Sequence, residues 1–289
     1  MGDKLRIITL NLWGTEAPLE RRLALAVNQL RALAPDVVCL QEVQPIAGGP
    51  TTADELAGRL GMHAHYAKAC EWEAGAWGEG SEAGQQGLAI VTREPLLETR
   101  VLVLPDPRPG DIRILQSGLV QTSGGPVWVH TTHLHYRLDD GASRERQVCA
   151  IDDAIRGGRT NDSAPQILCG DFNATPDSDE IRFLRGLTTL EGRRTHFQDA
   201  WLRLHREPDP GEGPTEGITW SSENKHTRPL RSLDLDRRID YVFVTSRKKD
   251  GRGTVQDCRV VMTDRDGGDE ICASDHYGVL ADVQVVARP

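Results

Sequence analysis

The 289 residues carry 43 acidic side chains against 34 lysines and arginines, a formal charge of −9, with ordinary hydrophobic and charged fractions of 38% and 27%. This balance argues against a protein that holds nucleic acid through a uniformly basic surface, although folding can still gather arginines locally. No apolar run approaches membrane-spanning length.

In chain order, Leu5 to Leu10 alternates as a strand. Pro18 to Ala34 places Leu19, Leu23, Ala26, Val27, Leu30 and Leu33 at helical spacing. DVVCLQEV is a short buried strand, and TADELAGRLG a helix closed by Gly61. Residues 71–87, rich in Gly, Glu and Ala and carrying Trp72 and Trp77, read as a long loop. GLAIVT and TRVLVLP are two strands joined by a turn. DIRILQSGLVQT and PVWVHTTHL form a hairpin around Gly124-Gly125. SRERQVCAIDDAI is a helix, and QILCG a strand after which Pro176, Asp177 and Ser178 start another helix. Residues 206–234 read as a long loop; RRIDYVFV, TVQDCRVV and YGVLADVQVV are late strands. Strands alternate with helices, but hairpins also occur, so the pattern suits a mixed sheet or two packed sheets with outer helices.

None of the six cysteines (Cys39, Cys70, Cys149, Cys169, Cys258 and Cys272) falls in a CxxC pair, which disfavours a zinc knuckle. Cys39 and Cys169 read as small core residues, while pairing of Cys258 with Cys272 stays open. The N-terminal LRIITLNLW lacks the order of a signal peptide, so a cytoplasmic protein is expected, with secretion open if a leader has been trimmed.

The apolar strands repeatedly end in polar residues. Asn11 closes TLN, Glu42 follows DVVCLQ, His133 ends VWVHTTH, and Asp171 and Asn173 follow QILCG. Asp240 opens IDYVFV, and Asp275-His276 precede YGVL. Turn chemistry explains each Asn or Asp singly, but not Glu42 after a buried run. Carboxylates are hard ligands for Mg²⁺ or Mn²⁺. Histidine can polarise or protonate a phosphoryl oxygen near neutral pH. Such an inventory suits in-line attack of water on phosphorus.

These motifs, TLNLWG, LQEV, THL, GDFN, RIDYVFV and SDHYGVL, resemble the endonuclease/exonuclease/phosphatase superfamily in order and over nearly the whole chain. The resemblance implies a DNase I-like, four-layered α/β sandwich, two packed mixed β-sheets flanked by helices, formed by residues 1–289 as a single catalytic domain. It implies a bound Mg²⁺ or Mn²⁺ held by Glu42 with Asn11 and Asp275. Asp171, helped by Asn173, would activate the attacking water. His276 would contact a non-bridging oxygen, with Asp240 keeping its ring oriented and protonated. His133 would bind the phosphate or protonate the leaving oxygen; its place is Tyr in abasic endonucleases, which argues against that specialisation. Asn11, Asn173, His135 at the site rim and Trp220 are candidate substrate-binding residues. Arg137, Arg144 and Arg146 read equally as a phosphate pocket or as a solvated helix face.

The expected activity is a metal-dependent phosphodiesterase, with a small-molecule phosphoester favoured and a monomeric protein without an integral membrane segment. DNA endonuclease or exonuclease is the next reading and a sphingomyelinase-like phospholipid hydrolase the third. A catalytically inactive partner-binding module on the same fold is the rival of another class. Retention of the complete Asp, Asn and His set argues against it.

Overall fold

In this computed structural model, which describes residues 3–76, 82–108, 111–157, 164–205, 216–230 and 236–287, the apolar runs form two six-stranded sheets. The elements are β1 (Lys4–Asn11), α1 (Leu19–Leu33), β2 (Val37–Val43), α2 (Thr52–Leu60), β3 (His63–Trp72), β4 (Gly84–Thr92), β5 (Glu98–Val103) and β6 (Ile114–Thr122). They continue with β7 (Gly125–His133), α3 (Gly141–Arg156), β8 (Ile167–Asp171), α4 (Asp179–Leu184), β9 (Gln198–Asp199), β10 (Asp240–Val244), β11 (Val255–Val261) and β12 (Gly278–Gln284).

The first sheet runs β11-β12-β1-β2-β4-β3 and the second β5-β6-β7-β8-β10-β9. Each has one parallel pair at its centre, β1 with β2 and β7 with β8, and antiparallel pairs on both sides. The parallel pairs follow from the helices α1 and α3, which supply the crossover a parallel connection needs. Ile7, Val37, Cys39 and Ile90 of the first sheet meet Val129, Ile167, Cys169 and Val242 of the second in an apolar layer. Leu23, Val27 and Leu30 of α1 and Leu56 of α2 cover the outer face of the first sheet. Val148, Ile151 and Ile155 of α3 with Ile181 and Leu184 of α4 cover the second. The result is the expected four-layered sandwich.

Helix ends follow local chemistry. Thr51 and Asp54 form a reciprocal capping box at α2, and Gly61 closes it with φ +67°. Asp140 accepts from the Ser143 backbone N–H at the start of α3.

Two sequence expectations change. The loop expected at 71–87 is shorter, because Glu71 and Trp72 end β3 and Gly84 to Gly87 begin β4; residues 77–81, Trp77 among them, lie outside the described residues. GLAIVT and TRVLVLP are the two strands expected but fall in different sheets: β4 belongs to the first, and the connection carries the chain across to β5 at the edge of the second. Much of the 206–234 loop also lies outside the described residues, but Trp220 bridges Arg237 in short strand-like pairing. All six cysteines are buried and free, Cys258 and Cys272 included.

Candidate active site

Strand direction gathers the polar ends. In the two parallel pairs, Asn11 lies beside Gln41 and His133 beside Asp171, so four C-terminal strand ends share one rim of the sandwich. Because β10 runs antiparallel to β8, its first residue Asp240 falls opposite Asp171. Because β12 runs antiparallel to β1, the segment before it, with Asp275 and His276, returns to the same rim.

Backbone distortion then aims the side chains. The register between β2 and β4 slips between Leu40 and Val43. Gln41 turns inward, donating to Thr131 Oγ1 at 3.0 Å, and Glu42 adopts φ +52° and faces the cleft. Asn173 and Trp13, at φ +49° and +55°, line the same cleft. Non-glycine residues held in this region carry strain that the surrounding structure must sustain. Gly170 has no substitute: at φ +144° a Cβ would lie 2.0 Å from the Thr132 carbonyl oxygen.

Asn11 ties the two sheets together. Its Nδ2 donates to Glu42 Oε1 at 3.0 Å and to Asp171 Oδ2 at 3.1 Å, while its Oδ1 accepts from the Trp13 backbone N–H at 3.0 Å. Asp171 Oδ1 accepts from the Asn173 backbone N–H at 2.8 Å. Around Asp171 Oδ2 stand His133 Nε2 at 3.5 Å and His276 Nε2 at 3.8 Å. His276 Nδ1 lies 2.9 Å from Asp240 Oδ2, and the Trp220 ring packs edge-on against His276 with centroids 4.9 Å apart. Thr219 Oγ1 accepts from the Asp240 backbone N–H at 3.3 Å. Asn224 holds the 274–275 backbone through two donated hydrogen bonds of 2.9 and 3.0 Å.

The electrostatics separate these groups. Burial and the neighbouring Asp240 charge raise the Asp171 carboxyl to about 6. Burial, reinforced by Glu42, raises Asp275 to about 7 against the opposing pull of His276. For His276 burial opposes the charge, but the carboxylates of Asp240 and Asp171 outweigh it and keep the imidazolium. His133 is driven well below the usual histidine value by burial, then by Arg113 and His276, so it stands neutral.

Two carboxylate groupings bear on metal binding. Asp171, Asp240 and His276 offer ligand atoms within 4.8 Å of one another. The imidazolium already balances those two carboxylates. Glu42, bonded to Asn11, and Asp275 line the same cleft; the Glu42 charge adds to the cost of ionising Asp275, and buried Arg22 is a nearby cation. An oxygen-rich pair of carboxylates of this kind fits a hard divalent cation.

The cleft, about 580 Å³, is lined by seven of the expected residues, Glu42, His133, Asp171, Asn173, Trp220, Asp275 and His276, while Asn11 and Asp240 are not on its lining and hold Glu42, Asp171 and His276 through hydrogen bonds. His135 does not line it. Its ring is buried, with Nδ1 donating to Asp111 Oδ2 at 2.6 Å. Arg144 is committed to buried Glu180 and Arg146 to Asp106, so of the three helix-proximal arginines only Arg137 reaches the cleft. The sequence reading missed Trp13, Asp111 and Arg113, which also line it. The signals were present: a Trp two residues past a strand-ending Asn, and a charged DIR immediately before an apolar strand.

Comparison with solved structures gives the same architecture. A structure of D. rerio TDP2 complexed with single-strand DNA product superposes with TM-score 0.72 at 22% identity, covering 98% of this chain and 99% of that one. An endonuclease/exonuclease/phosphatase from Beutenbergia cavernae gives 0.69 at 25% identity over 99% of this chain and 72% of that one. The human Nocturnin catalytic domain with bound sulfate gives 0.65 at 20% identity over 98% and 95%. No curated protein sequence matches significantly. The family model for the endonuclease/exonuclease/phosphatase family matches residues 8–276, from the first strand to the histidine that faces Asp171, and the chain belongs to that family.

Proposed function

We propose that the protein is a divalent-metal-dependent phosphodiesterase that hydrolyses a phosphoester by in-line attack of water. The observation that carries this reading is the grouping around Asp171 Oδ2, with His133 Nε2 at 3.5 Å, His276 Nε2 at 3.8 Å and Asp240 at 2.9 Å from the far nitrogen of His276; burial and Asp240 raise the Asp171 carboxyl to about 6. A carboxyl group titrating just below neutrality is mostly ionised at pH 7 yet basic enough to take a proton.

Asp171 Oδ2 accepts a proton from the attacking water as its oxygen bonds to phosphorus. His276, held by Asp240, donates to a non-bridging oxygen and offsets the charge that grows there. Neutral His133 donates a hydrogen bond to the phosphate rather than a proton to the leaving oxygen. Asn173 and Asn11 fix Asp171. Trp220 forms the wall behind His276. Glu42, Asn11 and Asp275 would hold Mg²⁺ or Mn²⁺, which when bound supplies Lewis-acid charge to the phosphoryl group. As the ester P–O bond breaks, the leaving oxygen is released to the open cleft, where solvent can protonate it.

The cleft volume suits a drug-sized ligand or an exposed nucleotide end rather than the body of a duplex. A small phosphodiester therefore stands first. DNA stands second, supported by the fold shared with a TDP2 recorded with a single-strand DNA product. The test is hydrolysis of bis-p-nitrophenyl phosphate, p-nitrophenyl phosphate and supercoiled plasmid in EDTA, Mg²⁺ and Mn²⁺, with Asp171→Ala as control. Metal-dependent diester cleavage with intact plasmid is expected. Efficient nicking would put DNA first, and metal-independent or absent hydrolysis of every substrate would defeat the reading.

A further inference from the structure

An anionic phosphoester entering this cleft meets Glu42, Asp111, Asp139, Asp171 and Asp275. The cationic side chains on the same lining are His276, Arg113, Arg137 and Arg237. Arg113, at the start of β6, lies on the cleft wall next to His133 and also lines the small void behind that histidine. Its side chain is 7% exposed, whereas Arg137 on the same cleft is 58% exposed. A buried guanidinium acts through a lower local dielectric and attracts an anion more strongly than a solvated one.

The guanidinium is oriented from behind. Its Nε and one terminal nitrogen both contact Asp111 Oδ1, at 2.6 and 2.5 Å. Its other terminal nitrogen has no protein acceptor among the described residues. Asp111 is fixed in turn, because its Oδ2 accepts from His135 Nδ1–H at 2.6 Å. Burial holds His135 below the usual histidine value, so its Nε2 is free to accept from Arg108, which also pairs with Asp140. A buried ion pair contributes little net stability by itself, and a relay of this length is more than such a pair needs.

We propose that Arg113 is a substrate-binding residue that grips a non-bridging oxygen of the phosphoester through its unpaired terminal nitrogen, and that Asp111 and His135 are positioning residues that hold it. The proposal rests on the phosphoester reading of the cleft.

The test is binding of inorganic phosphate, with and without Mg²⁺, by isothermal titration calorimetry, alongside diester kinetics. Arg113→Gln is expected to weaken phosphate about 10- to 100-fold, the loss of a charge-assisted contact. Arg113→Lys should recover part of that loss. His135→Gln should cost a few-fold in phosphate affinity and raise KM more than it lowers kcat. Arg113→Gln/Asp111→Asn removes the ion pair as a unit, guards against misfolding of the single variant, and should show the same loss. Phosphate affinity unchanged in either Arg113→Gln variant, with only the melting temperature moved, would make the pair structural and overturn the proposal. So would a wild-type protein that binds no phosphate. Phosphate binding that depends on Arg113 in a protein that hydrolyses no ester would uphold the contact and defeat only the catalytic reading.

Discussion

Asp171 holds its charge against its surroundings. It is 1% exposed, faces Asp240 across the β8–β10 pair, and its carboxyl is raised to about 6. A carboxyl whose folded value exceeds its unfolded value destabilises the fold as pH rises through that window, from about 4 to about 6. Asp171→Asn should therefore lower turnover by about 10²- to 10⁴-fold and raise the melting temperature above pH 6, with the two proteins converging near pH 4. A melting curve with no such gain would show that Asp171 is stabilised by its partners. His276 has the opposite sign. Its value is raised, so its contribution is complete below about 6.5 and disappears only as pH rises through the elevated folded value. His276→Ala leaves Asp171 and Asp240 facing each other without a cation. It should abolish diester hydrolysis and cost about 3 kcal/mol or more in urea unfolding at pH 7. The two catalytic substitutions are thus expected to move stability in opposite directions.

At the scale of elements, His130 links three strands: Nδ1 lies 2.7 Å from Ser117 Oγ on β6, and Nε2 lies 2.8 Å from Gln166 Oε1 just before β8. Nε2–H donates to the glutamine oxygen and Nδ1 accepts from the serine, so the neutral ring is fully satisfied. Burial lowers it to about 4. A histidine depressed in the fold loses stability as pH falls, starting at its unfolded value near 6.5 and continuing to about 4, of order 3 kcal/mol in total. His130→Gln should flatten that acid slope in denaturant titrations, and an unchanged slope would place the acid sensitivity elsewhere. Gly170→Ala should be among the most damaging substitutions, about 3 kcal/mol or more, because the strand would have to leave the Thr132 carbonyl. A near-native midpoint would show that β7 and β8 can separate locally. The sequence made most of these elements readable, since strand ends marked by Asn, Glu, His and Asp need only period and charge. It did not reveal β3: HAHYAKACEW holds no Val, Ile or Leu, only Cys70 is buried, and its face pattern is lost at the sheet edge. Nor did it reveal the crossing from β4 to β5, since two short apolar strands joined by a turn do not say which sheet each one enters. Arg113 was obscured for a related reason: it is held by Asp111, whose other contact, His135, sits in a different segment, and no periodicity announces that meeting.

On the scale of the whole molecule, the site exists only where the two sheets meet. Glu42 belongs to the first sheet, Asp171 and Asp240 to the second, and Asn11 bridges them. A cation seated at Glu42 and Asp275 should bind the folded chain and not the unfolded one. At about 100-fold excess over its Kd, Mg²⁺ should therefore add about 2.7 kcal/mol of stability. A thermal-shift series with Mg²⁺, EDTA and Glu42→Gln checks this: the gain should vanish in the variant, and a gain that persists would move the cation to another site. The order of strands has a temporal consequence as well. β12, the last strand along the chain, lies between β11 and β1 with Thr9 opposite Val279. β1 finds β2 nearby in sequence, Ile7 beside Val37, but its other neighbour comes from far along the chain, Ile7 opposite Ala281. Pairing across such separations is slow and leaves apolar edges uncovered meanwhile. The rim that carries Asn11, Glu42 and Asp275 is therefore completed only when segments far apart in sequence have met, so its assembly belongs to the late stages of folding.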